Sequence, residues 1–467
     1  MSEQPSSNVS KTAVQIIAGI SSFIMPFTLS SVTIALKSIG EYFNLDAVAL
    51  NWVATAYLLS TAAFLVPFGR IGDIYGRKKV FLVGVSIDAA GSLLCAFSQS
   101  GAWLIAFRAM QGLGGAMIFG TAIAILTSVF PPQERGRALG MNTAAVYTGL
   151  SAGPLIGGTL TQHMGWQSIF LLNALLGLTL ITVVLWKLKG EWAGSRGEKF
   201  DFAGALIYCV ALVALIYGFS ELPSLKGLWL IIIGAAGLAA FAFWEARTKY
   251  PVLQVSFFLK NRVFRYSNLA ALINYSATNS VAFLLSLYLQ YIKGFKADSA
   301  GFILVLQPVI MVICSVIAGR LSDRIEPRII SSTGMALTTI GLVMLIFLNN
   351  NTSLAYILVI LAVLGLGFGF FSSPNTNAVM SSVDKKFYGV ASGTLGTMRV
   401  VGQTTSLAIS LLLFALYIGK VEIMPSNYPA FLTSMKTAFI ISAALCFAGI
   451  FASIVRGKTH QTEQGKP

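Results

Sequence analysis

Apolar stretches of about 20 residues, the length a helix needs to cross a membrane's hydrocarbon layer, recur along the chain between short polar breaks. The pattern predicts fourteen helices, near 14–36, 48–68, 79–98, 102–130, 138–161, 166–188, 202–220, 226–245, 263–290, 297–318, 329–348, 353–382, 389–417 and 434–455. The run Pro131-Pro132-Gln133-Glu134-Arg135-Gly136-Arg137 separates the fourth from the fifth, and residues 221–225 join the seventh to the eighth. Strands of a membrane barrel would be about 10 residues long and alternate in polarity. The expected fold class is an all-α integral membrane protein.

Composition supports the same solvent. Of 467 residues, 56% are hydrophobic and 10% charged, against about 25% charged in soluble proteins. A net charge of +15 invites nucleic acid as a partner, but placement decides otherwise. With residues 1–13 inside, the cytoplasmic segments hold 24 of the 32 Lys and Arg, and the external ones hold Lys37, Lys226, Lys293, Lys296, Lys420 and Lys436. Arg108 and Arg399 fall within spans. This is a positive-inside distribution, so both termini are expected to be cytoplasmic and no nucleic acid is expected. The first span is too long for a signal-peptide core and is expected to stay as a helix. All four cysteines, Cys95, Cys209, Cys314 and Cys446, lie in spans, where packing is a better reading than disulfide or metal.

A cytoplasmic loop recurs. Gly69-Arg70-Ile71-Gly72-Asp73-Ile74-Tyr75-Gly76-Arg77-Lys78-Lys79 follows span 2, and Gly319-Arg320-Leu321-Ser322-Asp323-Arg324 follows span 10. Two G-R-x-x-D copies eight spans apart imply duplicated six-helix halves with two helices inserted between them, a 6+2+6 arrangement. The segments are then a tail at 1–13, a first bundle at 14–188, a hairpin at 202–245, a second bundle at 263–455 and a tail at 456–467.

Residues 69–79 resemble the signature loop of the major facilitator superfamily, and the helix count resembles its 14-helix drug:proton antiporter branch, which contains multidrug efflux transporters. Further elements match in order: Asn51-Trp52-Val53-Ala54-Thr55-Ala56-Tyr57 in the second helix, Arg108-Ala109-Met110-Gln111-Gly112 in the fourth, and Gly149-Leu150-Ser151-Ala152-Gly153-Pro154-Leu155-Ile156-Gly157-Gly158 in the fifth. Ala391-Ser392-Gly393 with Arg399 and Gly402-Gln403 resembles the thirteenth. The resemblance implies alternating access in the plasma membrane and export of small amphiphiles in exchange for protons. No cofactor, metal or obligate protein partner is implied; membrane lipids are.

The motifs suggest their own physics. Asp73 among Arg70, Arg77 and Lys79 can latch one conformation through charge-assisted bonds, with Gly69, Gly72 and Gly76 allowing close approach, and Asp323 with Arg324 repeats the device. A solvated basic loop is the plainer alternative. Gly149, Gly153 and Gly157, with Pro154 and Gly158, offer a small-residue face for helix packing; by resemblance they mark exporters and help seal the seam between halves. Arg108 is costly to bury unpaired and either snorkels, staples backbone carbonyls or, by resemblance, serves proton exchange; Arg399 carries the same argument.

One departure stands out. The branch's helix-1 aspartate is replaced by Thr28, and its following proline by Lys37. The carboxylate well inside a span is instead Asp88, which either carries protons or is structural, bonded to Ser92 or to another helix. Without the helix-1 acid the cavity looks neutral or cationic and suits neutral or anionic amphiphiles better than cations. Its polar lining is expected among Thr28, Ser31, Tyr57, Gln111, Asn142, Tyr147, Asn274, Asn279, Gln307, Asn375 and Asn377, each of which has interhelical bonding as its plainer role. An enzyme is disfavoured because His163 and His460 lack catalytic partners. An ATP-driven pump is disfavoured because Arg456-Gly457-Lys458-Thr459 has Ala452 where a phosphate loop needs glycine. A proton-independent facilitator or a metabolite or lipid transporter of the same fold remains the alternative.

Overall fold

The computed structural model describes residues 10–45, 47–253, 260–295, 297–418 and 427–457. Residues 1–9, Lys296, Lys420, Lys458, Thr459, His460 and Lys466, and the Lys37 side chain, lie outside this set.

The chain folds into two helical bundles and a hairpin, and no strand occurs among the described residues. The first bundle holds α1 (Lys11–Phe43), α2 (Ala47–Tyr75), α3 (Arg77–Ala96), α4 (Gly101–Val129), α5 (Pro132–Met164) and α6 (Gln167–Lys187). The hairpin is α7 (Phe202–Ser220) and α8 (Leu225–Glu245). The second bundle opens with two broken spans. The first comprises α9 (Arg262–Thr278), α10 (Ser280–Leu287) and a wide turn at Tyr288–Ile292; the second comprises α11 (Ala297–Leu304) and α12 (Leu306–Leu321). It closes with α13 (Pro327–Ile346), α14 (Leu354–Ser381), α15 (Tyr388–Tyr417) and α16 (Tyr428–Val455).

Local chemistry sets the ends. Ser100, Ser224 and Ser353 accept backbone N–H bonds from Trp103, Gly227 and Tyr356, capping α4, α8 and α14. Pro132 starts α5, where a missing N–H costs nothing. Several helices outrun the apolar stretches that predict them; α5 begins at Pro132, not 138, and α1 continues to Phe43, because a helix goes on past the hydrocarbon layer for as long as its backbone bonds are satisfied.

Among the described residues, thirteen helices are long and apolar enough to cross a membrane, and α5 falls outside that count. Its polar, glycine-rich sequence is tolerated because protein covers it on two faces, α1 on one and α12 on the other. The bundles meet reciprocally, α2 against α15 and α5 against α12, the second and fifth helices of each half exchanging places. The hairpin lies along this seam. From α7 the Tyr208 hydroxyl meets Thr397 Oγ1 on α15 at 3.0 Å, and Cys209 Sγ donates to the Ala63 carbonyl on α2 at 3.2 Å.

Candidate transport site

The end of the molecule that carries Lys11 and Arg456 is held shut by two matching contacts. At one, the Gly69 and Gly389 backbones touch; a Cβ on either would overlap the other's carbonyl. Asp73, one turn beyond Gly69, accepts the N–H groups of Gly389 at 2.9 Å and Val390 at 3.0 Å, capping the start of α15. Arg77 grips the same carboxylate through Nε at 2.9 Å and Nη2 at 2.7 Å, and donates to the Lys385 carbonyl at 2.5 Å. At the other contact Gly319 packs on Gly136, and Asp323 accepts the N–H groups of Gly136 at 2.6 Å and Arg137 at 2.8 Å, capping α5. Each G-R-x-x-D loop thus closes on the fifth helix of the opposite half.

Not every residue expected in the latch joins it. Lys79 and Arg324 are exposed. Gly72 admits the Thr121 methyl, and Gly76, at φ 121°, makes a turn between α2 and α3 that a side chain would strain. Arg70 is buried and turns away from Asp73 to the α6–α7 linker, where it donates to Ser195 Oγ at 3.1 Å and pairs with Glu198. Ser195 in turn donates to the Lys386 carbonyl at 3.2 Å. The linker is therefore a strap over this contact, and Ser195 and Glu198 escaped sequence reading; the signal available was the acids Glu191, Glu198 and Asp201 among the bases Lys189, Arg196 and Lys199.

The glycines of the fifth helix also fall differently from expectation. Gly149, Gly153 and Gly157 face Phe23, Ser30 and Ser31 of α1, inside the first bundle, while Gly158 and Pro154 stay partly exposed. The inter-half seam uses the opposite face of α5, at Gly136 and Gly140. Half a helical turn separates the two faces, so one glycine row cannot serve both.

A small central pocket lies between the halves. Phe119 and Ile123 of α4 and Leu139, Asn142, Thr143, Val146 and Tyr147 of α5 line it from the first half; Tyr275 of α9, Ser372 and Thr376 of α14 and Arg399 of α15 line it from the second. Arg399 donates to Thr376 Oγ1 at 2.8 Å, and its guanidinium lies 5.7 Å from the Tyr275 ring centre. From the expected pool, Asn142 and Tyr147 are in this lining. Thr28, Tyr57 and Gln111 sit inside the first bundle. Ser31 donates to the Gly153 carbonyl, Asn279 to Gln403, Asn375 to Ser267 and Asn377 to Ser322, all as interhelical ties. Gln307 is half-buried outside the lining, and Asn274 is buried with neither amide atom hydrogen-bonded. Tyr275, Ser372, Thr376 and Thr143 were not singled out, since a hydroxyl in a helix gives no sign of which side it faces.

Asp88 belongs to a different constellation, buried in the first bundle. Asn173 of α6 donates to Asp88 Oδ2 at 3.2 Å and to Ser92 Oγ at 2.6 Å, and its Oδ1 lies 2.5 Å from the Thr28 hydroxyl. Gln111 donates to Ser92 Oγ at 2.7 Å and accepts from Arg108. Arg108 is fully buried rather than snorkelling: its Nε donates to the Val53 carbonyl at 2.9 Å, and its guanidinium lies 4.4 Å from the Tyr57 ring centre. The residue in the helix-1 acid's place is therefore joined to Asp88 through one amide. Asn173 was missed, although a lone amide in an apolar span is the sign to look for.

These features, two bundles related by a repeat, reciprocal contacts at one end and a pocket between them, match a known family. The model of the Major Facilitator Superfamily matches residues 18–407 and again 267–467. This chain belongs to that superfamily. As a major facilitator it is a membrane transporter, not an enzyme. It is 29% identical over 447 residues to the riboflavin transporter RibZ of Clostridioides difficile, covering 95% of this chain and 97% of that one. It is 30% identical over 400 residues to the multidrug resistance protein Stp of Mycobacterium tuberculosis, covering 84% of this chain and 74% of that one. The crystal structure of the human organic anion transporter MFSD10 has the same fold, with a TM-score of 0.69 at 15% identity over 96% of this chain and all of that one.

Proposed function

We propose that this transporter exports small amphiphilic, drug-like molecules across the plasma membrane by alternating access, in exchange for protons. The observation that carries this reading is the pair of reciprocal contacts, Asp73 on the start of α15 and Asp323 on the start of α5, at one end of a pocket shared by both halves. Two such contacts can break together as the halves rock, which exposes the pocket to the other side. The excess of Lys and Arg on the latch side supports a cytoplasmic placement for it and for both termini, so the closed latch corresponds to an outward-facing or occluded state. The fifth-helix glycine element and the likeness to Stp, a multidrug resistance protein, support export.

For protons the candidates are Asp88 and Arg108. Asp88 is a buried carboxylate tied through Asn173 to α1 and α6, and through Ser92 and Gln111 to Arg108 on α4. Loading a proton on Asp88 changes which of these bonds can form, and so couples charge to helix packing. A second reading, a facilitator without proton exchange, is favoured by Asp88 lying outside the pocket lining.

The test is proton flux in proteoliposomes under an imposed pH gradient, scanned with neutral, cationic and anionic amphiphiles, for the wild type and Asp88→Asn. Substrate-driven dissipation of the gradient that disappears in a folded Asp88→Asn protein supports the antiporter. Substrate movement without protons selects the facilitator, and no movement of any compound sinks both.

A further inference from the structure

Arg108, Arg456 and Arg399 are buried or half-buried in unlike positions. Arg108 is engaged by Val53, Gln111 and the Tyr57 ring and also keeps a buried Nη2 without a partner, but it lies inside the first bundle, away from the pocket. Arg456, at the end of α16, donates to Asn375 Oδ1 at 2.9 Å, Ser331 Oγ at 2.8 Å and Ser267 Oγ at 3.3 Å, so its role in pinning the chain into the second bundle is already filled. Arg399 differs: it lines the pocket, one hydroxyl holds its Nη2, and its Nε is buried without a partner.

Everything around Arg399 in the pocket is neutral. No Asp or Glu is in the lining, and no ion pair to Arg399 occurs among the described residues. The Tyr147 hydroxyl, also in the lining and 4% exposed, is buried beside Ser372. An unpaired guanidinium in a membrane interior is costly and calls for a partner. A carboxylate or other oxyanion suits it, because two oxygens can take Nε and an Nη together. The lining beside it is aromatic: Tyr147 and Tyr275 both meet Phe368 edge-on, at 6.5 Å and 5.5 Å between ring centres.

We propose that this pocket is an anion subsite in which Arg399 receives the acidic head of an aromatic amphiphile, with Thr376 orienting the guanidinium, the Tyr147 hydroxyl as a second donor, and the tyrosine rings flanking the ligand's planar body. In the latched state the pocket has room for little more than one water molecule, so the anion enters when the halves part. The inference rests on the transporter reading above for the pocket's being the substrate site, and it changes the role expected of Arg399 from proton exchange to recognition of charge.

The test is equilibrium binding to the full chain in nanodiscs, where no gradient or direction enters, so that failure of proton-linked export leaves it unaffected. The probes are 1-naphthoate and 1-pyrenebutyrate, each against its methyl ester, with 1-pyrenemethylamine as the cation. The wild type is expected to prefer each acid over its ester by about tenfold or more. Arg399→Gln abolishes that preference while ester binding persists. Arg399→Lys keeps a reduced preference for the acid, which separates loss of the charge from loss of the fold. Equal binding of acid and ester by the wild type, no binding of either acid, or an acid preference that survives Arg399→Gln would each overturn the proposal.

Discussion

The carboxylate of Asp323 accepts the backbone N–H of Gly136 at 2.6 Å, across the boundary between the two halves of the molecule. Asp73 does the same to Gly389 at 2.9 Å, and the glycine that begins each loop, Gly69 or Gly319, lies against the glycine being capped. A loop motif that reads as a local feature of one helix turn is thus half of a long-range contact. Its strength suits a device that must open: a helix cap contributes about 0.5–2 kcal/mol, enough to bias a two-state equilibrium without freezing it.

Replacing either acid by alanine should therefore open the latch end. With spin labels on Lys79→Cys and Arg324→Cys, both exposed positions in a protein whose four native cysteines are buried, electron–electron distance measurements should show a longer-distance population growing by about two- to 30-fold in Asp73→Ala and in Asp323→Ala. The double variant should show the sum of the two free-energy changes to within about 0.5 kcal/mol, as separate helix pairs carry the contacts. An unchanged distance distribution in both single variants would remove the latch.

Gly136→Ala and Gly69→Ala should act in the same sense for a steric reason. The added methyl meets a carbonyl of the opposite half, and overpacking of this kind costs about 1–3 kcal/mol. Closure at the latch end is then disfavoured by about five- to 150-fold, read as slowed turnover in liposomes with normal protein yield. Gly158→Ala, whose added methyl would meet only the Ile34 side chain at an ordinary contact distance of 3.8 Å, is the control and should transport normally.

The strap over the first latch predicts coupling between Arg70 and Glu198. A double-mutant cycle of Arg70→Gln and Glu198→Gln, read from the same distance populations, should give an interaction of about 0.5–1 kcal/mol, since Glu198 retains partial solvent contact. Independence of the two substitutions would mean that the linker merely passes by.

In the first bundle, Asn173→Leu removes donors to Asp88 and Ser92 together and should destabilise the protein by about 1–3 kcal/mol. Adding Asp88→Leu should recover part of that loss, because a buried polar group deprived of its partner is worse than an apolar pair of similar shape. Thermal unfolding in detergent separates the cases: a double variant less stable than Asn173→Leu alone would contradict this account.

Much of the architecture can be read along one dimension. Apolar runs of membrane-spanning length specify helices, because backbone N–H and C=O groups must be satisfied internally in lipid. The duplicated loop reveals two halves, and the hairpin between them follows by counting. Even the span of weakest hydropathy, α5, was found, because polar segments bounded it. Residue types also mark Asp73 and Asp323 as copies of one element, and Arg108 and Asp88 as groups that need partners inside the protein.

What the tertiary structure decided is direction and company. A helix repeats every 3.6 residues, but its sequence does not say which neighbour each face meets, so Gly149, Gly153 and Gly157 could be assigned to the seam between halves when they pack on α1 instead. Gly136 and Gly389, the actual crossing points, show no sign of it until two chain segments far apart in sequence come together. The pool of buried amides and hydroxyls divided the same way, most into helix ties and few into the pocket, because one hydrogen bond to a distant carbonyl satisfies an asparagine as fully as a substrate would. Arg399 emerged from that division with its Nε unpaired, a property of the space around it and not of its place in the chain.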